Sequence, residues 1–180
     1  MPDGDPRGPV LLGIARAAIG QRDAAAARDW PEEWLRRPGA SFVTLRLGGE
    51  LRGCIGSIEP RRQLGEDVAA NARAAAFRDP RFPPVSPDEY PRLQVEVSLL
   101  SPREPFAAQS EADAVRQLRP GIDGIYLEYH DRSATFLPQV WENLPDPLAF
   151  LSELRRKAGL PARFWDPDIR LSRYTVEKFT

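Results

Sequence analysis

Hydrophobic and polar positions alternate over Ser41 to Leu47, with Val43, Leu45 and Leu47 set against Thr44 and Arg46. Gly48-Gly49 then supplies two turn residues before the chain resumes at Leu51. The pattern predicts a β-hairpin. In its return strand Leu51, Gly53 and Ile55 share one face, and Arg52 and Cys54 share the other. The same period returns over Leu93 to Leu100, where Leu93, Val95, Val97 and Leu99 point inward and Gln94, Glu96 and Ser98 lie opposite.

A helical period marks two other stretches. Pro9 is placed to start a helix over Val10 to Gln21 whose stripe is Leu11, Ile14, Ala15, Ala18 and Ile19. Leu64, Val68, Ala72 and Ala75 predict a second helix over Leu64 to Phe77, ended by Asp79-Pro80-Arg81-Phe82-Pro83-Pro84 because proline bars continuation. Between these helices, residues 22–40 are charged and proline-broken, with Trp30 and Trp34 as anchors over the hairpin. Residues 1–8 are rich in Pro, Gly and Asp and read as a loose start.

Further on, Ser110 with Asp113 resembles a capping box for a short helix closed by Pro120 and Gly121. Gly124 to Tyr129 and Ser133 to Leu137 predict a second hairpin across His130-Asp131-Arg132. Asp146 caps, Pro147 starts and Gly159 ends a helix carrying Leu148, Leu151 and Leu154, and Ile169 to Phe179 reads as one closing strand. Strands arriving as hairpins indicate an α+β fold, an antiparallel sheet flanked by helices.

Composition narrows the function classes. A chain of 180 residues fits one domain and can bury roughly 70% of its unfolded surface. A net charge of -1 gives no global attraction to nucleic acid or anionic membrane. One cysteine and one histidine exclude an intrachain disulfide and a Cys/His zinc site, so no metal and no cofactor is expected. The apolar run Val10 to Ile19 is short and interrupted by Arg16, which fits neither a signal peptide nor a membrane span. A cytoplasmic protein with a reduced thiol follows as the expectation. No nucleotide, zinc-protease or paired-cysteine motif occurs.

Candidate chemistry gathers around Leu51-Arg52-Gly53-Cys54-Ile55-Gly56-Ser57, where the sole cysteine sits between two glycines. A guanidinium beside a thiol favours the nucleophilic thiolate, so Arg52 and Cys54 on one face suggest a reactive site. A small buried hydrophobe in a glycine-rich strand is the other reading of Cys54. Gly53 and Gly56 let a ligand or a neighbouring backbone approach closely. Glu96, a carboxylate within a strand, is either an ion-pair partner or a general base. Asp79 and Arg81 form either a loop clasp or part of a ligand site, and Gln139 offers either a ligand-binding or a structural amide. His130 falls at a turn tip, away from the base of any cleft.

LRGCIGSIEP at 51–60 resembles the signature of the family named after the AMME syndrome candidate protein, whose bacterial members are called AmmeMemoRadiSam system protein A. AFRDPRFPPV at 76–85, VEVSLLSP at 95–102, GIDGIYL at 121–127, TFLPQVWE at 135–142 and LRRKAGL at 154–160 follow in the family's order. Ser57 stands where many members carry threonine. The resemblance implies a single domain over 1–180 with a larger subdomain of about 9–58 and 93–180, a smaller one of about 59–92, and a cleft lined by the signature.

It also places Arg81 near that cleft. Catalytic Cys54 and Glu96, with Arg52, Gly53, Gly56, Ser57, Arg81 and Gln139 as ligand contacts, make up the resulting candidate set. One expected role is that of a component of an AmmeMemoRadiSam-type system that binds or transforms a small molecule in that cleft. The other is a non-catalytic module serving a Memo-like protein and a radical SAM enzyme.

Overall fold

In the computed structural model, residues 5–20 and 30–180 are described. The loose start expected for 1–8 and the segment 22–40 therefore fall partly outside the described residues. The chain runs α1 (Arg7–Gly20), α2 (Glu33–Arg36), β1 (Pro38–Leu47), β2 (Glu50–Gly56), β3 (Arg62–Gln63), α3 (Leu64–Phe77) and β4 (Leu93–Leu100). It continues through β5 (Glu104–Phe106), α4 (Glu111–Gln117), β6 (Gly124–Tyr129), β7 (Arg132–Phe136), α5 (Pro147–Lys157), β8 (Arg170–Tyr174) and β9 (Val176–Phe179). Contacts divide it into two units, residues 1–100 with 177–180, and residues 101–176.

The first unit holds an antiparallel sheet in the order β2-β1-β4-β9, with β3 pairing the start of β1. Gly48 and Gly49 adopt positive φ of 60° and 87°, the left-handed geometry a two-residue hairpin turn requires. Val43, Leu45, Val95 and Val97 line one sheet face and pack with Leu11, Ala15, Val68 and Ala72 of α1 and α3. The alternation read along Leu93 to Leu100 matches the burial of β4 residue by residue. Segment 59–92 lies in this first unit, because α3 contributes Val68, Ala72, Ala75 and Ala76 to the same core as the hairpin.

The second unit carries a sheet in the order β5-β8-β6-β7 over a core of Ile125, Leu127, Phe150, Leu151 and Leu154. Ser110 accepts the Asp113 N–H at 3.1 Å to open α4, and Asp146 accepts the Ala149 N–H at 2.8 Å to open α5. Gly159 follows α5 at φ 77°. Both caps agree with the sequence pattern.

The fold is α+β with antiparallel pairing, but two readings need correction. Helix α1 starts at Arg7, two residues before Pro9, because Asp5 takes the Arg7 N–H at 2.9 Å and so caps the helix earlier. Ile169 to Phe179 is not one strand: β8 joins the second sheet beside β6, and β9 joins the first beside β4. Among the described residues, no helix is long and apolar enough to cross a membrane.

Candidate functional site

Strand β1 lies between β2 and β4, and Thr44 is the cross-strand partner of both Cys54 and Glu96. Side chains directly opposite on neighbouring strands share a face, so Cys54, Thr44 and Glu96 form one row. All three are half-buried, on the sheet face opposite the α1/α3 core. The Cys54 Sγ and Thr44 Oγ1 are 3.3 Å apart.

Glu96 is two strands from the thiol, roughly 10 Å. Its Oε1 accepts from Arg46 Nε at 2.9 Å, and its Oε2 is 3.5 Å from Lys178 Nζ. The geometry makes Glu96 an ion-pair partner and puts it beyond direct proton transfer with Cys54.

Strand β2 is a sheet edge, and its backbone at Cys54 points outward. Asp79 Oδ2 accepts the Cys54 N–H at 2.9 Å, and Arg81 Nη2 donates to the Cys54 carbonyl at 3.3 Å. Arg81 Nε and Nη2 also donate to the two Asp79 carboxylate oxygens at 3.0 and 2.8 Å. The Asp79–Arg81 loop thus completes the edge as a short strand would, which removes a bare edge and fixes the backbone that carries the thiol. The Asp79 carboxylate is buried, while Arg81 remains 54% exposed.

The expected pairing of Arg52 with Cys54 does not occur. Leu45 pairs with Gly53 but Arg46 with Leu51, so Arg52 is the extra residue of a β-bulge and leaves the strict alternation. Its guanidinium instead binds Glu89 through two bonds, at 2.8 and 2.9 Å, and donates to the Pro83 carbonyl at 2.9 Å.

Ser57 belongs to another buried network. Its hydroxyl donates to Asp67 Oδ1 at 2.7 Å, which also accepts from Arg62 Nε at 2.9 Å. Asp67 Oδ2 accepts from the Ser41 N–H, the Ser41 hydroxyl and Asn71 Nδ2.

The two signature glycines serve close packing. A Cβ on Gly53 would stand 2.2 Å from the Ala75 carbonyl oxygen, where the last turn of α3 meets β2. On Gly56 it would meet the Phe42 ring at 2.2 to 2.5 Å.

Hydrogen bonds from Arg81 hold the Asp79 carboxyl well below the usual carboxylate range, against the opposing effect of burial. Arg52 and the Ser86 N–H lower the Glu89 carboxyl to about 2. Both groups bind protons more weakly folded than unfolded. Their stabilisation is therefore complete above about pH 5 and is lost as pH falls through the ordinary carboxyl range toward the folded values. The urea midpoint of Asp79→Asn should lie below that of the wild type near pH 7, and the gap should narrow as the pH is lowered to about 3. A gap constant with pH would exclude this role for Asp79.

Other candidate residues lie elsewhere. Gln139 is exposed on the 3-10 turn Pro138–Glu142 of the second unit. His130 is exposed at the β6–β7 turn of the same unit, with φ 52° and its ring edge-on to Tyr129. A cavity of about 240 Å³ in the first unit is lined by Ile19, Phe77, Val85, Pro87 and Tyr90 among others, with no signature residue in its wall. Among the described residues, no cluster of three His, Cys, Asp or Glu side chains is placed to hold a metal ion.

The AMMECR1 family model matches residues 12–179, nearly the whole chain. The chain belongs to the AMMECR1 family. A protein of Methanothermobacter thermautotrophicus is 40% identical over 96% of this chain and 93% of its own length. One from Thermotoga maritima is 40% identical over 83% of this chain and 82% of its own. The crystal structure of an uncharacterised protein from Pyrococcus horikoshii superposes with a TM-score of 0.78 at 35% identity, covering 95% of this chain and 89% of that one.

In this AMMECR1 chain the residues missed by pattern reading are Thr44, Arg46, Asp67, Asn71 and Glu89. Asp67 and Asn71 did carry a signal, since two polar residues four apart beside the apolar stripe of α3 indicate a buried polar contact.

Proposed function

We propose that the half-exposed face around Cys54 binds or transforms a small molecule, within a system of the AmmeMemoRadiSam type. The observation that carries this reading is the Cys54–Thr44–Glu96 row, with the backbone at the thiol fixed by Asp79 and Arg81. The thiol is held on a rigid strand, the placement a contact or nucleophilic residue needs. Thr44 orients the sulfur, and Glu96 with Arg46 and Lys178 supplies a charge pattern two strands away on the same face. A reduced thiol suits a cytoplasmic setting.

A second reading is a non-catalytic module for a Memo-like protein or a radical SAM enzyme. It is favoured by the neutralised Glu96 and by the absence, among the described residues, of a base bonded to the thiol. Cys54→Ser in a system reconstituted with both partners separates the two. The small-molecule reading expects turnover to fall about a hundredfold or more with the melting temperature unchanged. Full turnover in Cys54→Ser would leave the binding module.

A further inference from the structure

We infer that the ligand of the Cys54 face carries a carboxylate or phosphate group, and that Arg81 receives it. The inference rests on the small-molecule reading above and names the class of ligand. Three hydrogen bonds fix the guanidinium: Nε to Asp79 Oδ1 at 3.0 Å, Nη2 to Asp79 Oδ2 at 2.8 Å, and Nη2 to the Cys54 carbonyl at 3.3 Å. Nη1 has no partner among the described residues, and the side chain is 54% exposed.

The arrangement is asymmetric in a useful way. The buried Asp79 holds one edge of the fork, so the opposite edge is presented to solvent without freedom to swing away. A guanidinium held in this manner gives up little rotamer entropy when an oxyanion binds, which raises its value as a receptor. The guanidinium bonds the Cys54 carbonyl, and Asp79, which it grips, takes the Cys54 N–H, so Arg81 is fixed to the backbone of the residue that carries the thiol. An oxyanion on Nη1 would therefore be held next to residue Cys54. Arg52, closed by Glu89 and two proline carbonyls, has no such free edge.

Two alkylating reagents of nearly equal size test this directly. In each, the sulfur attacks the methylene carbon, the S–C bond forms as C–I breaks, iodide departs and the thiol proton goes to solvent. Iodoacetate carries a carboxylate and iodoacetamide does not. The ratio of their rates at Cys54 is taken on the folded protein and divided by the same ratio on the urea-unfolded chain.

This normalised preference for iodoacetate should be about fivefold, the value of one partly exposed ion pair, and should decline with added salt. It should fall to one in Arg81→Gln. Arg81→Lys, which keeps a charge but not the fork, should retain a reduced preference; it also covers the case in which Arg81→Gln does not fold. Protection by acetate compared with inorganic phosphate at equal ionic strength then distinguishes the two oxyanions. A wild-type preference of one, or a preference unchanged in Arg81→Gln, overturns the inference. If both reagents react only on unfolding, the small-molecule reading itself fails.

Discussion

Gly53→Val is expected to lower the melting temperature more than any other single change in the signature. The new Cβ would stand 2.2 Å from the Ala75 carbonyl oxygen and 3.0 Å from its carbon, and both atoms are backbone. Relief requires the last turn of α3 to lift from β2, which loosens Val68, Ala72, Ala75 and Ala76 in the core. Overpacking costs about 1–3 kcal/mol where side chains can yield, so about 3 kcal/mol or more is expected where only backbone can. For a chain of this length that corresponds to a fall of about 6–12 °C.

Gly56→Val is the internal control. Its obstacle is the Phe42 ring on a half-exposed face, which can rotate outward, so its loss should be about 1–2 kcal/mol. Thermal melts of the two variants compare them directly. Equal losses would mean that the close approach of α3 is not what requires glycine at position 53.

Asp67→Ala is expected to be nearly as damaging, for an electrostatic reason. Asp67 is 1% exposed and collects five donors, from the Ser41 N–H and hydroxyl, Asn71, Ser57 and Arg62. Removing the carboxylate leaves the buried Ser41 N–H and hydroxyl without their acceptor, while Asn71 keeps its bond to the Ser41 carbonyl. Breaking a buried ion pair costs about 3–5 kcal/mol, and the lower end applies because Arg62 is 38% exposed and can turn to water. Ser57→Ala, which removes one of the five donors, should cost only about 1 kcal/mol. Denaturant midpoints decide between this network and a dispensable surface cluster, for which Asp67→Ala would cost no more than Ser57→Ala.

These effects show which parts of the molecule were legible in the sequence. The hairpin, α3 and β4 could be read because each states a local period, and the Gly48-Gly49 turn names its own backbone geometry. The end of the chain could not be read in this way. Residues 170–179 keep a strand-like pattern, but alternation does not say which sheet a strand joins, and the switch at Thr175 depends on partners far away in sequence.

The site shows the same division. Alternation placed Arg52 beside Cys54, and a single bulge residue undid it, because one added position re-aims a side chain. Arg81 came to the Cys54 backbone instead, from a loop 27 residues away, through a buried carboxylate that no local pattern reveals. The glycines were legible as positions of close approach. What approaches them is a helix carbonyl and a phenylalanine ring.

Whether the Cys54 face is an open working surface can be measured on the unmodified protein. Cys54 is the sole cysteine, so intact mass after timed exposure to iodoacetamide reports that residue alone. On the folded protein near neutral pH, the thiol should alkylate within about tenfold of the rate of the unfolded chain, and subdenaturing urea should not accelerate it. A thiol that stays unmodified until urea unfolds the chain would contradict the central claim and make Cys54 a packing residue.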